Sequence, residues 1–401
     1  MKQFVVLIYG PPCSGKSATV ECLMAKHSGL FRVCADRIKW FASGYAAGGY
    51  RKEVANVVLG VARSALSQGL PLVVEANATI LKRMWPKYRE LVGKQDAAFF
   101  EINLEAPFEL LAARLEQRIA SSMSRGNKIT LKDPADLRRR YDDYLTHKKP
   151  RIPTFDSSVL SPDDVAVEIE AMVGLAPPRI ADTSNRIRPA ESSPRHHFSG
   201  TASATMKQFV ILLYGPACSG KSATALSLMV RHSGLFRVSP DTVKWFISGY
   251  GGGPFRKKVS QVVVDMASNA LTQGFSLIVE ANATILKKTW PKYKALSEQN
   301  NVAYFELNLE APLDVLKERL ARRIARSLVS GKKHTLRDPE DLERRYKAYL
   351  AYRKYSIQTF DSSVLSLDDI TEKIEQMVGL PHAAGVQQRP VELGYARRQA
   401  Q

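Results

Sequence analysis

Gly10-Pro11-Pro12-Cys13-Ser14-Gly15-Lys16-Ser17 returns 205 residues later as Gly215-Pro216-Ala217-Cys218-Ser219-Gly220-Lys221-Ser222. Two glycines five positions apart, then Lys and Ser, is the spacing of a phosphate-cradling loop. Glycines let backbone N–H groups close around phosphate oxygens, and a helix starting at the lysine adds partial positive charge. Gly10, Cys13, Ser14, Gly15, Lys16 and Ser17 are therefore read as ATP contacts, as are Gly215, Cys218, Ser219, Gly220, Lys221 and Ser222. Lys16 and Lys221 would reach the β- and γ-phosphates, while the hydroxyls of Ser17 and Ser222 would hold Mg²⁺. Cys13 and Cys218 stand beside a helix N-terminus and a lysine, which predicts faster oxidation than at Cys22 or Cys34.

Phosphoryl transfer is positioning plus neutralisation, so it asks for a metal, a lysine, arginines and an acid near the nucleophile. Asp36 follows the apolar run Phe31–Cys34, and Asp241 holds the same place in the second copy. That strand is expected to neighbour the loop strand, which puts Asp36 on the carboxyl edge where open α/β sheets bind ligands. Either aspartate would equally serve as a helix cap. Glu75 and Glu280 end the next apolar strand and could orient water or Mg²⁺; a surface acid at a strand end explains them as well. Asn77 is a weaker candidate. The stretch from Arg114 to Arg140 is rich in Arg and Lys and broken at Gly126, as a mobile lid would be. Lys39, Arg51, Lys52, Lys82 and Lys87 accompany Trp40, Tyr45, Trp85 and Tyr88. Clustered at an acceptor cleft, they would suit a nucleotide or polynucleotide end; spread out, they are solvated helix faces and core aromatics.

The elements that must hold these groups follow from periodicity. Phe4–Tyr9, Phe31–Cys34, Leu72–Val74, Ala98–Leu104 and Thr154–Leu160 read as strands. Val54, Val57, Val58, Val61 and Ala65 make a helical stripe, as do Phe108, Leu111, Leu115 and Ile119. A further helix surrounds Trp85–Val92. Asp133-Pro134-Ala135-Asp136 and Ser161-Pro162-Asp163-Asp164 are helix starts, with a capping side chain and then Pro at the first helical position. Strands in continuous apolar runs alternating with helices predict an α/β unit with a mostly parallel five-stranded sheet, sandwiched by helices.

A GTPase would carry NKxD, but Asn127-Lys128-Ile129-Thr130 lacks the aspartate. A motor ATPase would carry paired acids where Val74-Glu75-Ala76-Asn77 has one. The loop, Cys34-Ala35-Asp36, Ser239-Pro240-Asp241, Glu75-Ala76-Asn77 and Phe155-Asp156-Ser157-Ser158 together resemble P-loop kinases of the zeta-toxin, polynucleotide-kinase and chloramphenicol-phosphotransferase group. The resemblance covers nearly all of each copy. It implies that Asp36 and Asp241 are the bases that activate an acceptor hydroxyl. It also implies lid arginines that clamp the transferring phosphate, by position Arg114 or Arg118; Arg118 and its counterpart Arg323 are preferred as lying deeper in the lid. Arg37-Ile38-Lys39-Trp40 departs from the acceptor motifs of that group, which leaves the acceptor open.

Residues 1–175 recur as 206–380 without insertion, with about 60% of paired positions identical. Each is expected to be a complete P-loop kinase domain with a helical lid. Residues 176–205, rich in Pro, Ser and Arg, read as a flexible linker with a reach of about 30 Å, enough for independent domains; 381–401 reads as a disordered tail. The chain has 401 residues, 45% hydrophobic and 24% charged, which argues against disordered and fibrous classes. The apolar run Phe4–Tyr9 is far short of a membrane span. Four cysteines in a chain this long suggest reduced thiols and a cytoplasmic place. Net charge is +19, of which +6 and +9 lie in the two copies. That excess invites nucleic acid or a phosphorylated acceptor as a partner. It also keeps open an ATP-binding, nucleic-acid-associated switch whose only phosphate acceptor is water.

Overall fold

The computed structural model describes residues 3–45, 49–76, 78–125, 131, 133–175, 207–251, 253–281, 283–330, 336 and 338–381. The linker, the tail beyond Pro381, Asn77 and the Gly126 break lie outside them. In the first half, β1 (Phe4–Tyr9), α1 (Lys16–Lys26), β2 (Phe31–Cys34), α2 (Ala35–Ile38) and a 3₁₀ turn (Lys39–Phe41) come first. Then follow α3 (Arg51–Ser67), β3 (Leu72–Ala76), α4 (Ala78–Gly93), β4 (Ala98–Glu105) and α5 (Phe108–Arg125). The half closes with α6 (Pro134–His147), β5 (Thr154–Asp156) and α7 (Pro162–Val173). The helix starts form as expected. Asp133 accepts the Ala135 N–H, and Ser161 and Asp164 make a reciprocal capping box.

All pairings in the five-stranded sheet are parallel, in the order β2-β3-β1-β4-β5. β2 is therefore not the neighbour of β1, as the sequence suggested. β3 stands between them, pairing Val5–Tyr9 on one side and Phe31–Cys34 on the other. β3, five residues long and buried throughout, takes the interior, and the four-residue β2, equally buried, takes an edge that the other half covers at Phe31. The carboxyl edge is shared by every parallel strand, so Asp36 still arrives there. The fifth strand is also shorter than Thr154–Leu160. Asp156 Oδ1 accepts both the N–H and the hydroxyl of Ser158, and that Asx turn ends the strand.

Alternate residues of β1 enter different cores. Phe4, Val6 and Ile8 pack with α1 and α7, while Val5, Leu7 and Tyr9 face α3 and α4. The second half repeats the plan with β6 (Phe209–Tyr214), β7 (Leu235–Val238), β8 (Ser276–Glu280), β9 (Ala303–Glu310) and β10 (Gln358–Asp361). Its α8 (Lys221–Arg231), α9 (Pro240–Val243), α10 (Phe255–Thr272), α11 (Ala283–Gln299), α12 (Leu313–Ser330), α13 (Pro339–Tyr352) and α14 (Leu367–Val378) match α1–α7.

The linker would permit independent domains, yet the halves share one apolar core. α3 lies along α10, and Val57, Val61 and Phe41 belong to the same buried cluster as Val262, Met266 and Phe236. The edge strands meet there too. Ala42 bridges Phe236 antiparallel, and Ile247 bridges Phe31. A shared core predicts a single cooperative unfolding transition for both halves. Phe41→Ala removes a fully packed ring and should cost about 3–5 kcal/mol, moving that one calorimetric peak. Two separate peaks, of which one shifts, would contradict the shared core.

Candidate active site

The loop is built by close backbone approach. Gly10 has φ +151°, and a Cβ there would sit 2.0 Å from the Leu104 carbonyl oxygen of β4; Gly215 would meet Leu309 at 1.9 Å. No side chain fits, so β1 and β4 converge tightly where the loop leaves the sheet. Gly15, at φ +91°, then opens α1 in the left-handed region. Lys16 is buried and folds back on the loop itself. Its ammonium donates to the carbonyls of Gly10 (2.9 Å) and Pro11 (2.6 Å) and to Ser14 Oγ (3.3 Å). Lys221 repeats this with Gly215, Pro216 and Ser219. Burial pushes both ammonium groups down to about 8, with Glu75 and Glu280 pulling the other way.

Ser17 and Glu75, far apart in sequence, come together: Ser17 Oγ donates to Glu75 Oε2 at 2.6 Å, and Ser222 to Glu280 at 2.7 Å. The other oxygen of Glu75 accepts from Arg32 Nε, and Arg32 also holds Glu21 at 3.0 Å. Burial works against the Arg32 charge, but Glu75 outweighs it and keeps the guanidinium protonated. Arg32 and Arg237 were not singled out in the sequence. A lone Arg inside an apolar strand, repeated in both copies, was the available signal. Glu75 is thus a buried acid with one oxygen neutralised and the other at the P-loop hydroxyl, rather than a surface acid.

Asp36 lies on α2, exposed by 56% at its side chain, and pairs with the buried Lys39. Partial loss of its water shell to the surrounding protein pushes its carboxyl up. Lys39, by charge and hydrogen bond, with Lys16 and Arg118 behind it, outweighs that and holds it below the usual carboxylate range. The P-loop lysine, Asp36 and Arg118 therefore share one electrostatic neighbourhood. Asp241 pairs with Lys244 at 2.5 Å. Asp36 does not cap α2: Cys34 takes that place without a side-chain bond. Lys39 also lies 5.3 Å from the centroid of the Trp40 ring and 6.0 Å from that of Tyr45. Trp85 and Tyr88 do not join them. Trp85 bonds Glu101 and sits under Lys149, and Tyr88 is core.

The lid arginines separate by role. Arg114 is a clamp, donating to the Cys13 carbonyl (3.3 Å) and to Ser157 Oγ (2.8 Å) and carbonyl (2.6 Å). Arg319 does the same with Cys218 and Ser362. Arg118 and Arg323, one turn further along α5 and α12, remain on the exposed faces. Cys13 and Cys218 take the left-handed backbone region, at φ 63° and 66°, and pack against the lid clusters. Burial pushes the Cys34 thiol up to about 12 and also raises Cys22.

The family described as AAA domain matches residues 5–142 and again 210–346, more than half of the chain. No curated protein matches. Among solved structures, the tunicamycin resistance protein of Deinococcus radiodurans is 21% identical, covers 44% of this chain and 98% of its own, and has a TM-score of 0.33. A sugar kinase of Janibacter is 18% identical over 44% and 96%, TM-score 0.31. An APS kinase of Mycobacterium tuberculosis, in complex with AMPPNP and APS, is 12% identical over 43% and 99%, TM-score 0.31. Each spans the length of one half.

Lowered P-loop lysines give a pH signature. Phosphate binds the ammonium form, which is present below about pH 8 and lost above it. Nucleotide affinity should therefore fall about tenfold between pH 7 and 9. Calorimetry in buffers of different ionisation heat should detect proton uptake on binding near pH 8. Affinity that is flat across this range, with no proton uptake, would contradict the assignment.

Proposed function

The chain belongs in both halves to the AAA domain family, and from that premise we propose that each half is a kinase domain moving the γ-phosphate of Mg-ATP to an acceptor hydroxyl. A small-molecule, nucleotide-like or polynucleotide acceptor would suit the +19 charge. The observation that carries this reading is the exposed carboxylate of Asp36, paired with Lys39 just beyond β2, at the same carboxyl edge as the loop lysine Lys16 and the Ser17–Glu75 pair. A nucleotide switch needs the lysine but has no use for an ionised acid with an open flank beside it.

Lys16 would exchange its loop carbonyls for the β- and γ-phosphates. Ser17 and Glu75 offer two hard oxygens side by side, a donor set that fits Mg²⁺, with phosphates and water completing its shell. The ion, when bound, would neutralise charge building on the phosphates. Arg32 would keep Glu75 from turning toward other cations. The acceptor oxygen attacks the γ-phosphorus, the bond to the β–γ bridging oxygen breaks, and Asp36 accepts the proton. Because Lys39 and Lys16 keep Asp36 ionised, it orients the hydroxyl by hydrogen bond at any neutral pH. Arg118 would meet the equatorial oxygens as the lid closes. The second half would use Asp241, Glu280, Ser222, Lys221 and Arg323 in the same roles.

Two sites per chain are expected. Calorimetry should count two nucleotides, and Lys16→Ala or Lys221→Ala should each remove one; a wild-type count of one would overturn the two-domain reading. The transfer step is tested with γ-labelled ATP over nucleosides, nucleotide sugars and 5′-hydroxyl oligonucleotides. Asp36→Asn with Asp241→Asn should keep ATP binding and lose about 10²–10⁴-fold in transfer. Unchanged transfer would remove the aspartates from the chemistry.

A further inference from the structure

Asp36 and Lys39 ride on the short segment Ala35–Phe41, whose near end leaves β2. Its far end is fastened in the other half. The Ser43 N–H donates to the Leu235 carbonyl at 2.8 Å, and Ser43 Oγ accepts the Leu235 N–H at 2.8 Å. The Phe41 ring meets Phe236 edge-on at 6.0 Å and stacks on Phe246 at 6.3 Å. The second half returns the arrangement. Beyond Asp241 and Lys244, the Ser248 N–H donates to the Leu30 carbonyl at 2.9 Å, Ser248 Oγ accepts the Leu30 N–H at 2.9 Å, and Phe246 meets Phe31 at 6.2 Å. Both serines are buried.

We infer that each acceptor carboxylate is positioned by the opposite half, Asp36 by Leu235 and Phe236 and Asp241 by Leu30 and Phe31, so that the two acceptor sites are complete only as a pair. The inference rests on the phosphotransfer reading of these aspartates. Ile38, fully buried beside α3, ties the near part of the segment to its own half, while its far end is held through Ser43 and Phe41 by the other. An acid that must meet a reacting hydroxyl has to be held within about 0.5 Å, and a misplacement of about 1 Å costs on the order of 10²-fold in rate. The crossing strands supply that restraint from outside the half. The ATP side draws on Gly10–Ser17 and Glu75, whose bonds among the described residues stay within the first half, so nucleotide affinity is expected to be insensitive to the crossing.

The test uses the full chain with one half silenced. In Lys221→Ala, all transfer comes from the first half. Adding Phe236→Leu, a change in the silent half, should lower kcat about tenfold while leaving nucleotide affinity at the first half unchanged. Adding Ser43→Ala instead, a smaller change that removes an acceptor for Leu235, should lower it several-fold in the same way. Phe31→Leu and Ser248→Ala should act likewise on the second half in a Lys16→Ala background. Without nucleotide, hydrogen exchange of amides 35–41 should quicken in Ser43→Ala while amides 15–19 stay unchanged. The inference is overturned if kcat holds in both first-half variants, or if kcat and nucleotide affinity fall together as in general destabilisation. If the wild type transfers phosphate to no acceptor, the phosphotransfer reading fails by itself. The exchange measurement then decides the positioning alone: faster exchange at 35–41 supports it, and unchanged exchange overturns it.

Discussion

The contact on which most else depends is the mutual closure of two sheet edges. β2 and β7 are edge strands, and an open edge is a row of unpaired N–H and C=O groups. Here each edge is met by the chain that follows the other half's Asp36 or Asp241, at Ala42–Phe236 and Ile247–Phe31. The aromatic cluster of Phe31, Phe41, Phe236 and Phe246 makes that meeting apolar, and the buried serine hydroxyls satisfy the backbone groups it would otherwise strand. The α3–α10 packing then follows from the same approach, since both helices lie beside these edges.

Inside each half, charge is arranged as a chain of neutralised pairs around one unneutralised need. Glu75 is answered by Arg32 and Ser17, and Asp36 by Lys39. Lys16 donates to carbonyl oxygens, poor partners for a full positive charge, and burial holds its ammonium down to about 8. A site in that state gains most from a ligand bearing several negative oxygens. Arg114 adds to this order by tying α5 to the loop carbonyl of Cys13 and to Ser157.

How much of this was legible in the sequence depends on the range of the signal. The P-loop, its strand and helix, and the capped starts at Asp133 and Ser161 are local patterns, and they formed as read. The Ser17–Glu75 meeting was half legible: both residues were chosen, yet the arginine that balances them was not. Strand order was misread because β2 follows β1 in sequence, and sequence proximity carries no information about a strand inserted later between them. The end of β5 was overrun because Val159 and Leu160 look strand-like, while the Asx turn at Asp156 is decided by one side-chain geometry. The junction between the halves was invisible. Phe31, Phe41 and Val57 look like any core residues, and apolar patterning says that a face is buried without saying by what.

The junction also bears on how the duplicated halves have diverged. Under the repeat offset, Gly60 corresponds to Asp265 and Ser64 to Asn269. In the junction Gly60 faces Asn269, and Ser64 donates to Asp265. A Cβ at position 60 would lie 2.4 Å from the Asn269 side chain, so the absence of a side chain there is what lets the helices approach. Two second halves pairing in the same geometry would set Asp265 where that emptiness is required, against the partner's Asn269. The substitutions thus favour first-with-second pairing over second-with-second. Residues 176–205 keep the two complementary faces on one chain, so their meeting is intramolecular. Complementarity and tethering therefore act in the same direction, and the tandem chain behaves as an asymmetric dimer written in one sequence.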